Sequence, residues 1–309
     1  MSILRGTLLA ASRNAWLRQH ATRYGFMRRA VRRFLPGETA EEALAAVRSL
    51  SENGLFSVLT RLGENIRNGG EAADATRHYL GVMERILAAG LPAEISVKLT
   101  QLGLDLDPEF CHANLEKIIR GTPPEKTLWI DMEQSSYVDA TLELYRRARL
   151  AFSNVGVCVQ AYLYRTEKDL NALIAMGAAV RLVKGAYNEP AEIAYPRKKD
   201  VDKNYLHLAQ RLLSPEARRA GVRAALATHD KTLITKLLVW SAGQGIPRNH
   251  MEFQMLFGIQ HSEQLRLARE GCRCGVLISY GEQWYPWFMR RLAERPANLL
   301  FLMRNFFSR

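Results

Sequence analysis

Eight times along this chain a short run rich in Val, Ile and Leu gives way to a polar loop and then to apolar residues at helical spacing. The runs read LFSVLT (55–60), EISVKLT (94–100), TLWIDME (127–133), VGVCVQAYL (155–163), AAVRLVKGAY (178–187), RAALATHD (223–230), MEFQMLFG (251–258) and CGVLISYG (274–281). Near-continuous apolar content is what a parallel strand covered on both faces requires. Between the runs lie segments such as EAADATRHYLGVMERILAAG (71–90) and SSYVDATLELYRRARLAF (135–152), with helix stops at Gly90-Leu91-Pro92 and at Gly271. Eight strand–helix units in about 240 residues, with no long linker, predict an α/β chain folded as a (β/α)8 TIM-type barrel rather than an open doubly wound sheet. The barrel is expected over residues 51–309 and a helical N-terminal arm over 1–50, the arm ending in a capped helix, GETAEEALAAVRSLSENG (37–54).

The chain has 309 residues, 48% hydrophobic and 24% charged, a composition that excludes a disordered protein. No window approaches the roughly 18 apolar residues of a membrane-spanning helix. The net charge of +12 is uneven. Residues 1–37 carry Arg5, Arg13, Arg18, Arg23, Arg28, Arg29, Arg32 and Arg33 and no acidic residue, so removing this +8 leaves the body at +4. Such an arm reads as a transit peptide, a membrane-surface helix or a packed helical extension. We expect the packed extension, with a second role at an anionic membrane surface. Its arginines lie apart from the polar strand ends described next, so no nucleic acid partner is expected. Cys111, Cys158, Cys272 and Cys274 lack metal-ligand spacing; they read as reduced thiols, and no metal is expected. Neither G-x-G-x-x-G nor G-x-x-x-x-G-K-[ST] occurs, which argues against Rossmann or P-loop nucleotide binding.

Barrel enzymes carry their chemistry where strands end and loops begin. Polar groups cluster at those points: Glu64 after the first strand, Lys98 at the end of the second, Asp131 and Glu133 at the third, Gln160 at the fourth. Arg181 and Lys184 close the fifth, Thr228-His229-Asp230 the sixth, and Glu252 and Gln254 lie in the seventh. Only one of Asp131 and Glu133 is expected to face the interior. Lys98, in an apolar setting, reads as a Schiff-base lysine, a carboxylate anchor or a salt-bridge partner of Asp131. In RLVKGAY (181–187), Arg181 and Val183 share a strand face, and Lys184 with Gly185 suits a close anionic ligand. His229 reads as a base, a ligand contact or a satisfied barrel-end histidine. Near the end, WYPWFMRRLAERP (284–296) sets positions 284, 287, 288 and 291 on one helix face. Arg291 then points with the aromatics, as a carboxylate clamp would; a surface pair bridged to Glu294 is the other reading.

Taken in order, SVKLTQLG, WIDMEQS, VQAYLYRTEKDL, VRLVKGAY, LATHD, EFQMLFGI and WYPWFMRRLAERP give the chain a sequence that resembles the proline dehydrogenase family in its short monofunctional bacterial form. The resemblance runs from about LTRLGEN (59–65) to MRRLAERPANLLF (289–301). It implies a (β/α)8 barrel holding FAD without a Rossmann motif. It further implies oxidation of L-proline to Δ1-pyrroline-5-carboxylate by hydride transfer to flavin N5, with a membrane quinone reoxidising the flavin. The implied location is cytoplasmic, peripheral to the inner face of the membrane.

Carried over motif by motif, the resemblance implies that Lys98, Arg290 and Arg291 bind the substrate carboxylate, with Glu64 as an acidic partner of the arginine clamp. Asp131 is implied to steady Lys98 and Arg181 to sit near N5, the two catalytic positions. Ala186, Tyr187 and Leu256 are implied to line the ring pocket. Met132, Gln160, Arg181, Val183, Lys184, Gly185, Ala186, Thr228, His229 and Gln254 are implied to contact the cofactor. Before the last helix the family's VYVPYG is replaced by VLISYG, so Leu277 stands for a tyrosine and Ser279 for a proline; Trp287 likewise stands where tyrosine is usual. Leu277 and Trp287 are therefore the substrate contacts that set this chain apart, with hydroxyproline or another cyclic amino acid as the alternative substrate. A Schiff-base lyase barrel using Lys98 is the alternative enzyme class.

Overall fold

The computed structural model describes residues 31–63, 66–285, 288 and 289. Its eight strands pair in chain order, all parallel, and close on themselves through a β8–β1 pairing, giving the expected (β/α)8 barrel. The strands are β1 (Phe56–Arg61), β2 (Ala93–Val97), β3 (Leu128–Ile130), β4 (Val155–Gln160), β5 (Ala179–Val183), β6 (Arg223–Ala227), β7 (Glu252–Leu256) and β8 (Arg273–Tyr280). The helices are α1 (Ala40–Ser51), α2 (Gly69–Ala88), α3 (Pro108–Arg120), α4 (Val138–Ala151), α5 (Thr166–Ala175), α6 (Lys198–Leu212), the short α7 (Pro215–Arg219), α8 (Lys231–Gly243) and α9 (His261–Arg269). Local chemistry fixes several starts. Thr39 and Glu42 form a reciprocal capping box at α1, Asn68 caps α2, Asp107 precedes Pro108 at α3, and Asp230 accepts from Thr232 and Leu233 at α8.

The strands have two faces with different duties. Outward residues such as Ile95, Val97, Val157, Leu182 and Leu226 are buried under the helices. Inward, Val58, Trp129 and Ala225 pack with Phe56, Ala179 and Leu277 inside the barrel. Glycines make room for the two large rings. A Cβ at Gly156 would lie 2.7 Å from the Trp129 ring, and one at Gly275 would lie 2.5 Å from the Phe56 ring. Both glycines are steric necessities of a filled barrel.

α1 packs on β1 and β8, with Ala43, Leu44, Val47 and Leu50 buried, so the helix read from the sequence as part of the arm covers the seam of the barrel. The segment before it crosses toward the C-terminal side of β7. The Arg33 carbonyl presses on Gly258 (φ +73°), the Phe34 ring sits 6.3 Å from that of Phe288, and Trp284 Nε1 donates to Glu38 Oε1 at 3.0 Å. Residues 1–30 lie outside the described residues.

Several apolar runs overshoot their strands. β3 stops at Ile130, leaving Asp131, Met132 and Glu133 in irregular backbone, and β2 stops at Val97, so Lys98 precedes a single 3-10 turn over Leu99–Leu102. The side chains of Asp131 and Glu133 do part company. Strand alternation is not the reason, because residues two apart share a face. The chain leaves the sheet after Ile130, and Glu133 turns to Thr100 while Asp131 turns inward.

Candidate active site

Asp131 is the hub. Its Oδ1 accepts from Ser96 Oγ (2.7 Å) and from Arg181 Nη1 (2.9 Å), and its Oδ2 accepts from Lys98 Nζ (3.1 Å). Burial alone would push the Asp131 carboxyl up, but Lys98 and Arg181 outweigh it and hold the group below the usual carboxylate range. For Lys98 burial pulls down, and Asp131, followed by Tyr187, Glu133 and Tyr79, more than reverses it. Its pKa ends above the ordinary lysine value, so the amine stays a cation. A Schiff-base lysine needs the opposite shift.

Arg181, on β5, is 3% exposed, and its guanidinium lies 4.6 Å above the centroid of Trp129. Its Nε donates to Gln254 Oε1 at 2.7 Å and its Nη1 also donates to Ser96 Oγ at 2.9 Å. Its Nη2 is buried without a hydrogen-bond partner. Across the barrel end, Gln160 donates from Nε2 to the Glu133 carbonyl (3.0 Å), with Met132 adjacent, while its Oε1 is likewise buried and unpaired. A buried donor and a buried acceptor left unsatisfied cost about 1–3 kcal/mol each, and this barrel carries both at one end.

The remaining predicted positions fall around this centre. Leu256 on β7 and Leu277 on β8 are register partners, and Leu277 packs on the inner cluster. His229 Nε2 accepts from the Leu256 amide at 2.9 Å. Thr228 is buried; its amide donates to the Gln254 carbonyl, and its hydroxyl accepts from the Asp230 amide. Ala186 is exposed and Tyr187 half-buried beyond the end of β5, after the half-buried Val183.

Two expectations for this loop change. Lys184 is held between Asp202 and Asp230, with Lys198 on the same two carboxylates, so it is not a free cation awaiting an anion. Gly185 (φ +107°) does permit a close approach, and the group that approaches is the Tyr162 ring, 2.3 Å from where a Cβ would stand. Glu64, Trp287, Arg290 and Arg291 lie outside the described residues, so of the expected carboxylate clamp only Lys98 is described.

Beneath the site lies an ion network of which the sequence reading singled out only Glu252, passing over Glu94, Arg223, Arg273 and Trp129. Arg223 binds Glu94 (2.7 Å) and Glu252 (2.9 Å), Arg273 reaches both at 3.4 and 3.5 Å, and Trp129 Nε1 donates to Glu94 at 2.8 Å. The signal was present: Glu94-Ser96-Lys98, Trp129-Asp131 and Glu252-Gln254 recur with a period of two in otherwise apolar runs. That period marks the inner face of a barrel filled with polar groups.

A closed parallel barrel with a buried, paired lysine and arginine at the C-terminal strand ends is the architecture of a catalytic protein, and the relatives specify an oxidoreductase. The chain matches the family Pro_dh, described as Proline dehydrogenase, over residues 43–304. It is 38% identical over 307 residues to Proline dehydrogenase 1 of Bacillus subtilis subsp. natto, covering 98% of this chain and 99% of that one. It is 36% identical over 279 residues to Proline dehydrogenase of Deinococcus radiodurans, covering 88% of each. Among solved structures, proline utilization A (PutA) from Bdellovibrio bacteriovorus superposes with a TM-score of 0.81 at 24% identity, over 99% of this chain and 38% of that one, a likeness of fold. The chain belongs to the proline dehydrogenase family.

Proposed function

We propose that the chain oxidises L-proline to Δ1-pyrroline-5-carboxylate using FAD held at the C-terminal end of the barrel, the electrons passing on to a membrane quinone. The observation that carries the cofactor is the buried pair of unsatisfied groups, Arg181 Nη2 and Gln160 Oε1. A flat heterocycle with acceptors on one edge and an N–H on another fits that pair. Bound there, a flavin supplies the hydride acceptor. Arg181 would hold positive charge beside it, Gln160 and Met132 would contact it, and Thr228, His229 and Gln254 would help to hold it. The Val183–Ala186 loop would flank its extended part, with Lys184 acting through the aspartates that hold it.

For the substrate, Lys98 offers a fixed cation to one carboxylate, and Asp131 keeps that ammonium charged and aimed. Arg290 and Arg291 complete the clamp and Glu64 closes on it in this reading. Leu256, Leu277, Trp287, Ala186 and Tyr187 give the ring apolar walls that exclude water. Those leucines favour proline over hydroxyproline, whose hydroxyl would be buried without a partner at about 1–3 kcal/mol. The raised Lys98 pKa argues against the lyase chemistry.

No helix among the described residues is long and apolar enough to cross a membrane. In this proposal the enzyme meets its quinone at the membrane surface from the cytoplasmic side, the arginines of the arm binding anionic lipid; liposome binding that ignores acidic lipid content would remove that part. The test of the activity is dye-linked turnover with proline, hydroxyproline and no substrate, on protein whose bound flavin has been identified by chromatography. A colourless protein, or turnover that proline does not raise, overturns the reading.

A further inference from the structure

The ion network under the site does more than plug the barrel. Glu252 faces inward at the start of β7, two residues before Gln254 on the same side of the strand. Its Oε1 accepts from Gln254 Nε2 at 2.8 Å, and Gln254 Oε1 accepts from Arg181 Nε at 2.7 Å. A carboxylate can only accept and a guanidinium can only donate, so these two neighbours leave the Gln254 amide a single orientation. Arg181 is thereby pinned at Nε by Gln254 and at Nη1 by Ser96 and Asp131. Two fixed nitrogens of a planar group fix the third, and the third is the buried, unpaired Nη2. Glu252 is itself anchored from below by Arg223 Nε (2.9 Å) and Nη2 (3.0 Å).

We propose that Glu252 is a positioning residue: through the Gln254 amide it sets the direction in which Arg181 presents its free edge to the cofactor. This rests on the flavin reading above. Charge and positioning predict opposite signs. Removing a buried negative charge stabilises a reduced, electron-rich flavin and raises its potential, whereas letting Arg181 swing away lowers it. Glu94 supplies the control, because it carries the same charge in the same network and binds Arg223 and Trp129 but not Gln254.

The experiment is the midpoint potential of the purified, flavin-bearing protein as Glu252→Met, Glu252→Gln and Glu94→Gln, with proline kinetics alongside. Glu252→Met should lower the two-electron reduction equilibrium constant about tenfold, equivalent to about 30 mV, and lower kcat while the proline KM holds. Glu252→Gln keeps a neutral acceptor for Gln254, about half as strong as a charged one. It should show a smaller fall of the same sign, which keeps the proposal open to refutation if the methionine variant does not fold. Glu94→Gln should raise the potential or leave it. An unchanged or raised potential in the Glu252 variants, or an equal fall in Glu94→Gln, overturns the proposal. Protein that carries no flavin refutes the functional reading instead. Positioning is then read on the apoprotein from the Arg181 Nε–H resonance, identified by its loss in Arg181→Lys. A resonance unmoved by Glu252→Gln would refute the proposal there too.

Discussion

Asp131 serves two cations at once, so its loss is costlier than that of an ordinary surface acid. Asp131→Asn leaves Lys98 and Arg181 buried against a neutral amide. Breaking a buried pair in this way costs about 3–5 kcal/mol, to be read from denaturant unfolding, and the proline KM should rise because Lys98 is no longer aimed. The pH dependence follows from the two shifts. The Asp131 pKa is depressed, so its contribution is complete above about pH 4 and drains away as pH falls through the lower folded value. The Lys98 pKa is raised, so its contribution is complete below about pH 10 and is lost only as pH climbs past that. The stability gap between wild type and Asp131→Asn should therefore be flat from pH 5 to 9 and close in acid. At this scale the sequence was informative about charged residues at strand ends. The period of two places Ser96 on the inner face without naming its partners, and the sequence was silent on the Tyr162 ring against Gly185, because a tyrosine in a run of apolar residues carries no mark of what it touches.

At the scale of the element, β4 has to be thin where Trp129 lies against it. Gly156→Val would drive side-chain atoms into that indole and, through it, disturb the ring on which Arg181 rests. Overpacking of this kind costs about 1–3 kcal/mol, and the same variant should bind flavin more weakly, as measured by its retention through dialysis. α2 carries a second test. His78 shares a 2.8 Å hydrogen bond with the Tyr280 hydroxyl at the end of β8, and burial, reinforced by Arg61 and Arg85, brings its pKa down to about 4. A histidine held neutral when folded contributes fully above its unfolded value near 6.5 and loses that contribution as pH falls toward 4. Thermal unfolding followed from pH 7 to pH 4 should lose part of its slope in His78→Gln. The boundaries of β2 and β3 were misread for a related reason: the residues that carry chemistry extend an apolar run beyond the point where backbone pairing stops.

For the molecule as a whole, the count and order of βα units were legible because each parallel strand covered on both faces must announce itself as an apolar run. The seat of α1 was not. Its capping box and apolar stripe say that it is a helix with one buried face, and periodicity cannot say which surface does the burying. That seat makes α1 part of the stability of the barrel. Leu44→Ala, at a position 4% exposed, should cost about 2–5 kcal/mol in denaturant unfolding, with little change in proline KM in enzyme that remains folded. The β1–β8 seam also orders events during synthesis. One edge of Phe56–Arg61 pairs early with Ala93–Val97, but the other finds its partner only in Gly275–Tyr280, so a nascent chain leaves the ribosome with that edge unmatched and α1 without its β8 contacts until the eighth strand is out. A ribosome paused late in the message therefore holds an unclosed sheet with two bare edges, the form of this protein most exposed to chaperones and to its own neighbours on the polysome.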